Sequence, residues 1–239
     1  MVSAVRANDA SATLDAAPFT FFCAPPFLTA RFPAPRRTLG WSMLHPGFST
    51  VREIVWVEVR NRDLGPDVDA FALLRGKLVL IGLPEALAFM TSRDIRRHHF
   101  RQRRIEDIEA ACLTTVGLSN GERIGARKPV FAPVGTINTL VHVSRPLTDG
   151  AFVEAVAIAA QARTAAILET RRAEEGPAIT GTGTDCIVVA APCEGEQLGC
   201  AGLHTAVGEA IGAAVYDATC EGVEAWAADN AAPGVAEQR

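Results

Sequence analysis

The residues best suited to chemistry gather in three short loops, each lying against an apolar run. The sharpest is Thr180-Gly181-Thr182-Gly183-Thr184-Asp185, where two glycines admit crowded or left-handed backbone while hydroxyls and one carboxylate collect beside them. It leads directly into Cys186-Ile187-Val188-Val189, a β-branched segment that reads as a buried strand holding the loop rigid. Gly117-Leu118-Ser119-Asn120-Gly121 and Gly135-Thr136-Ile137-Asn138-Thr139 repeat the combination, and His204 arrives just ahead of a late helix. Such a set can polarise a carbonyl through Asn138 and backbone N–H groups, and can activate water or a threonine hydroxyl through Asp185 or His204. Burial beside Ile187 and Val189 would raise the Asp185 pKa toward working pH and make it a better proton acceptor. Asp185 can equally do no more than cap its own loop by accepting from nearby amides. A phosphate cradle is the rival chemistry, but no G-x-x-x-x-G-K-[ST] or G-x-G-x-x-G string occurs.

The loops need a sheet to hold them together. Val51 to Val59, Ala111 to Val116, Leu140 to Val143 and Ile187 to Ala190 read as its strands, with Thr38 to Leu44 joined to the first through the Pro46-Gly47 turn. Asp67 to Gly82 is ambiguous between helix and strand, because Phe71, Leu74 and Leu78 suit a helix face while Leu78-Val79-Leu80-Ile81 is a continuous apolar run. One helix is expected from Thr148 or Asp149 as N-cap to Arg171, and another from Thr205 to Cys220. Gly135 to Pro146 and Gly181 to Pro192 share one offset and are each followed by a helix, a weak strand-turn-helix repeat. The expected fold is therefore α+β or layered α/β, a mixed sheet with helices packed on it. Residues 1–37 suggest a poorly ordered arm, 38–222 a single domain, and 223–239 a tail of frayed helix or disorder.

Length and composition narrow the function classes. The 239 residues carry a formal charge of −4 and 49% apolar side chains, so the chain can bury a real core and shows no basic excess for nucleic acid. The six cysteines form no C-x-x-C pair, which speaks against zinc and demands no oxidising compartment. The longest apolar segment, Ala155 to Leu168, is interrupted by Gln161 and Arg163, so no membrane span is expected, and a cytoplasmic location follows. Arg93 to Arg104 holds six arginines with His98 and His99. It reads either as a solvated charged face or as an anion contact through Arg97, Arg101 or Arg104.

Four strings in order resemble the adenosylcobinamide amidohydrolase family. They are Thr115-x-Gly117-x-Ser119-Asn120; Gly135-Thr136-Ile137-Asn138 with Pro146-Leu147-Thr148-Asp149; Thr180 to Asp185; and Gly202-Leu203-His204-Thr205 with Gly208-Glu209-Ala210-Ile211-Gly212. The resemblance implies hydrolysis of the amide joining the aminopropanol arm to the corrin ring, giving adenosylcobyric acid for cobalamin salvage, with the cobalt corrinoid as substrate and no metal or organic cofactor. The catalytic candidates among these residues are Asp185, Thr184, His204 and Asn138. Substrate contacts would come from Ser119, Asn120, Gly135, Thr136, Gly181, Thr182, Gly183 and Thr205. A broad cleft would suit the corrin disc, with Arg93 to Arg104 as its mobile wall; the partner is this small molecule, neither nucleic acid nor membrane, and a homo-oligomer stays open. The chain departs from the family pattern at Gln161-Ala162-Arg163, which stands for Glu-Ala-Lys, at Met43-Leu44-His45-Pro46-Gly47, and at Phe89-Met90-Thr91-Ser92. Those departures favour, as the alternative, a non-catalytic or altered-specificity corrinoid-binding protein; a phosphate-handling transferase is a third reading.

Overall fold

The computed structural model describes residues 17–65, 67–126, 135–171 and 178–231. Strands β1 (Thr20–Ala24), β2 (Phe27–Gly40) and β3 (Gly47–Glu58) precede helix α1 (Ala70–Leu80) and strands β4 (Leu87–Thr91), β5 (His98–Ile105), β6 (Ile108–Val116) and β7 (Gly121–Glu122). Then come β8 (Ile137–Val143), α2 (Asp149–Thr170), β9 (Gly181–Thr182), β10 (Cys186–Pro192) and α3 (Ala206–Ala231). One eight-stranded sheet runs β4-β3-β2-β10-β8-β6-β5, with β1 paired on β2; β7 and β9 form a separate ribbon. Pairing is parallel for β8 with β10 and for β3 with β4, and antiparallel elsewhere, so the fold is α+β on a mixed sheet.

This sheet folds over on itself. In a flat sheet β4 and β8 would stand four strand spacings apart, about 19 Å, yet the Asn138 side-chain amide on β8 donates to the Met90 carbonyl on β4 at 2.9 Å. Strand alternation sorts the core accordingly. Ile187, Val189, Val141, Val143, Ala110 and Cys112 pack beneath α2 and α3. The alternate residues Val188, Ala190, Leu140, Ala111 and Leu113 face Trp56, Ile54, Phe89 and Leu28 from the other half. Beyond that half, Val55, Val57 and Ala88 are covered by Leu74 and Leu78 of α1. The layers are helix, sheet, sheet, helix, and each fully buried Phe or Leu between them stabilises the fold by about 1.5–3 kcal/mol.

Capping sets the helix starts where the sequence places them. Thr148 Oγ1 accepts from the Ala151 amide at 3.2 Å and Thr205 Oγ1 from the Gly208 amide at 3.0 Å. Asp69 accepts from the amides of Phe71 and Ala72, which commits Leu78-Val79-Leu80 to the end of α1 and settles its ambiguity as helix. Helix α2 has the length and apolarity of a membrane span, but Phe152, Ala155, Ile158 and Ile167 are packed inside the molecule. The β8–α2 and β10–α3 units lie side by side, as the shared offset suggests.

Three regions differ from the sequence reading. From Thr20 to Arg37 the expected arm is instead the β1–β2 hairpin, whose Leu28, Ala30 and Phe32 are fully buried; residues 1–16 lie outside the described part. Helix α3 continues past Gly222 to Ala231, because Val223 is buried against Val116, Leu118 and Ile179. The arginine segment is a loop through Arg97, with Arg96 and Arg97 exposed, and turns into sheet beyond it. From His98 it is strand β5, and Arg101 and Arg103 pair with Glu221 and Asp217 of α3.

Candidate functional site

The three polar loops meet at one end of the inner sheet half, where β6 ends and β8 and β10 begin. Backbone and side chains stitch them. Gly117 N donates to Thr136 O at 3.0 Å, Thr136 Oγ1 to Thr184 O at 2.7 Å, and Thr184 Oγ1 to Gly135 O at 3.2 Å. Asn120 Nδ2 reaches Thr184 Oγ1 at 3.4 Å, and the β7–β9 ribbon ties Gly121-Glu122 to Gly181-Thr182. The glycines are dictated by this crowding: a Cβ on Gly135 would stand 2.8 Å from the Ser119 amide nitrogen, and one on Gly181 2.5 Å from Asp185 Oδ2. Because β8 and β10 are entered here, the cluster lies at the amino ends of the parallel strands, opposite to the usual ligand end of an open parallel sheet.

Asp185 is the electrostatic centre. Its carboxylate pairs with the Arg163 guanidinium at 2.8 Å, with only 7% of the Asp185 and 13% of the Arg163 side chain exposed. Oδ2 also accepts from Thr182 N at 3.0 Å, while Oδ1 accepts from Ile137 N at 3.2 Å and from the Thr182 hydroxyl. Burial raises the carboxyl above its ordinary pKa, and Arg163 followed by the Thr182 and Ile137 bonds pulls it back. A carboxylate whose two oxygens each receive two donors has no free lone pair aimed at a substrate. This geometry is that of a clamp across the loops. Cys186, next in the chain, is pushed up to about 11 by burial and then by Asp185, so it is a thiol at neutral pH and no thiolate nucleophile.

Of the residues singled out from sequence, Ser119, Asn120, Gly135, Thr136, Gly181, Thr182, Gly183, Thr184 and Asp185 share this end of the molecule, and Ser119, Gly183 and Thr184 are exposed. Asn138 is present but fully buried, its side-chain amide nitrogen donating to Met90 O at 2.9 Å and its backbone carbonyl accepting from Trp56 Nε1 at 3.3 Å, so its side chain is sealed away from a bound oxyanion. The Thr182 amide is likewise taken by Asp185. His204 and Thr205 do not belong to the cluster. They stand beyond the far end of β10, a seven-residue strand and hence about 20 Å away, where Thr205 caps α3. The anion reading of the arginines also falls away, since Arg97 pairs with Asp229, Arg101 with Glu221 and Arg104 with Glu109. Among the described residues no three His, Cys, Asp or Glu side chains come together as a metal site would need.

Two neighbours of the site were missed by sequence reasoning. The sequence marks Arg163 as an interruption of an apolar helix and as part of the Gln161-Ala162-Arg163 departure, not as the partner of Asp185, although a lone cation on such a helix is itself a signal for a buried partner. Trp41 donates through Nε1 to the Asp185 carbonyl at 2.5 Å, placing the connection that leads into the divergent Met43-Leu44-His45-Pro46-Gly47 string against the loops. A groove of about 420 Å³ lies elsewhere, between β1, β2 and the end of α1, lined by Phe21, Phe22, Phe27, Arg31, Ile81 and Leu83. It shares no residue with the cluster, which is reached from open surface.

Residues 13–231 match the family model described as adenosylcobinamide amidohydrolase. A protein of Halobacterium salinarum named adenosylcobinamide amidohydrolase is 36% identical over 115 residues, covering 45% of this chain and 47% of the relative. An uncharacterized protein of Methanocaldococcus jannaschii is 37% identical over 91 residues, covering 37% of this chain and 35% of the relative. The matched stretches thus span about half or less of these relatives. Among solved structures, a Burkholderia sp. beta-aminopeptidase aligns over 82% of this chain and 77% of its own, at 9% identity and a TM-score of 0.43.

Proposed function

The chain belongs to the adenosylcobinamide amidohydrolase family, and from that premise we propose that it hydrolyses the amide joining the aminopropanol arm of adenosylcobinamide to the corrin ring. The product is adenosylcobyric acid, which re-enters cobalamin synthesis. The observation that carries this reading is the convergence, at one end of the sheet, of the first family-like string, the Gly135-Thr136-Ile137-Asn138 half of the second and the third, locked by Asp185 and Arg163 under an exposed rim of Ser119, Gly183 and Thr184. Of the exposed hydroxyls on that rim, Thr184 is the one held in place, between the Gly135 carbonyl and the Asn120 amide, and in this reading it is the group that meets the scissile carbonyl. Asp185 and Arg163 act beneath it by holding the turn that presents Thr184.

A second reading, corrinoid binding without turnover, is favoured by the exposed Gln161 and by the saturated Asp185 carboxylate. Incubation of the purified protein with adenosylcobinamide, followed by chromatographic separation, decides between them. Release of adenosylcobyric acid and aminopropanol supports hydrolysis, and a corrin absorbance change without product supports binding alone. Consumption of a nucleotide would instead revive the transferase.

A further inference from the structure

We infer that Trp41 is a binding residue of this site, a fixed aromatic platform on which a flat conjugated face of the substrate stacks. The inference rests on the corrinoid reading above and adds the residue that recognises the disc. Trp41 is 43% exposed, unusual for a side chain with so much apolar surface to bury. Its indole is nevertheless not loose. Nε1, its only polar atom, donates to the Asp185 carbonyl at 2.5 Å, and its backbone amide donates to Ile187 O at 3.3 Å.

The chain is fixed on both sides of it. A Cβ on Gly40 would collide with Ile187 O, so the end of β2 lies pressed against β10. Two residues on, Ser42 is buried and donates to Leu44 O at 2.6 Å, and Leu44 bridges to Ala88 of β4. The ring is thus anchored by one edge to the residue whose carboxylate clamps the loops, beside the exposed Gly183 and Thr184. Rigid presentation matters because a platform that is already ordered loses little entropy when a ligand stacks on it. A flexible exposed indole would lose more.

The test compares wild type, Trp41→Phe and Trp41→Leu by equilibrium dialysis and by thermal melting. The ligands are adenosylcobinamide and cobinamide lacking the adenosyl group. The Leu variant should bind at least about tenfold more weakly, whereas the Phe variant, which keeps a ring but loses the anchor, should stay within about threefold of wild type. Equal losses for both ligands identify the corrin as the stacked face, and a loss confined to the adenosyl form identifies the adenine; either supports the platform. Unchanged affinity in the Leu variant, or equal losses in Phe and Leu, overturns it while leaving the corrinoid reading intact. Failure of wild type to bind either ligand overturns both.

Discussion

At the scale of single residues, the Arg163–Asp185 pair should behave as a buried clamp. Removing one partner strands a charge that the fold has already desolvated, so Arg163→Met should cost about 3–5 kcal/mol, read from denaturant melts. Arg163→Lys should recover part of that loss, and a melt of Arg163→Met indistinguishable from wild type would refute the clamp. His142 makes a second residue-scale prediction. It is buried between Phe19 and Phe32, accepts from Arg36 Nε at 3.2 Å, and has its pKa lowered to about 3, first by burial and then by Arg36. The folded value lies below the ordinary 6.5, so the unfolded chain takes the proton first. Stability present above pH 6.5 is therefore lost as pH falls toward about 3, at up to about 1.4 kcal/mol per pH unit. His142→Gln, which keeps an acceptor for Arg36, should flatten that acid slope in melts taken at stepped pH. Much of the site was legible at this scale because glycine, threonine and asparagine announce close-packed polar loops by their types alone. Arg163 was not, since its partner lies 22 positions onward and only the folded chain brings them together.

Among the elements, glycine marks where backbone crowds and where it does not. Gly76 sits inside α1 with nothing within 4 Å of the point where an alanine methyl would stand, so Gly76→Ala should stabilise by about 0.5–1 kcal/mol through helix propensity. Gly135→Ala should do the reverse, pushing the β8 entry loop off Ser119 and abolishing turnover before it abolishes folding. Parallel thermal and activity assays on the two variants check both signs. The late elements were readable because each helix begins at a threonine cap and each strand is β-branched. The β1–β2 hairpin was not, since Pro25, Pro26, Pro33 and Pro35 conceal the alternation of Leu28, Ala30 and Phe32. Strand β5 escaped for another reason: its arginines make it look solvated, and the carboxylates that pair with Arg101 and Arg103 lie over a hundred residues away on α3.

For the whole molecule, the decisive feature is the fold of the sheet across itself, which no local pattern announces. The Asn138 side-chain amide joins the two halves through Met90 O, and its backbone carbonyl joins them through Trp56 Nε1; Asn138→Ala breaks the first bond alone and should lower stability by about 1–3 kcal/mol, the cost of leaving the Met90 carbonyl unmet. Activity should fall only in step with the folded fraction; a far larger loss in fully folded protein would return Asn138 to the chemistry. This clasp also governs timing. Since it runs through the most deeply buried layer, parting the two halves at the rim means exposing that layer, an event of the same free-energy scale as global unfolding. Amide hydrogens along β8 should accordingly exchange at the global unfolding limit, with or without ligand. The rim then works as a fixed template: ligand capture is limited by the orientation of an encounter, release by the strength of the contacts, and neither waits for a gate to open.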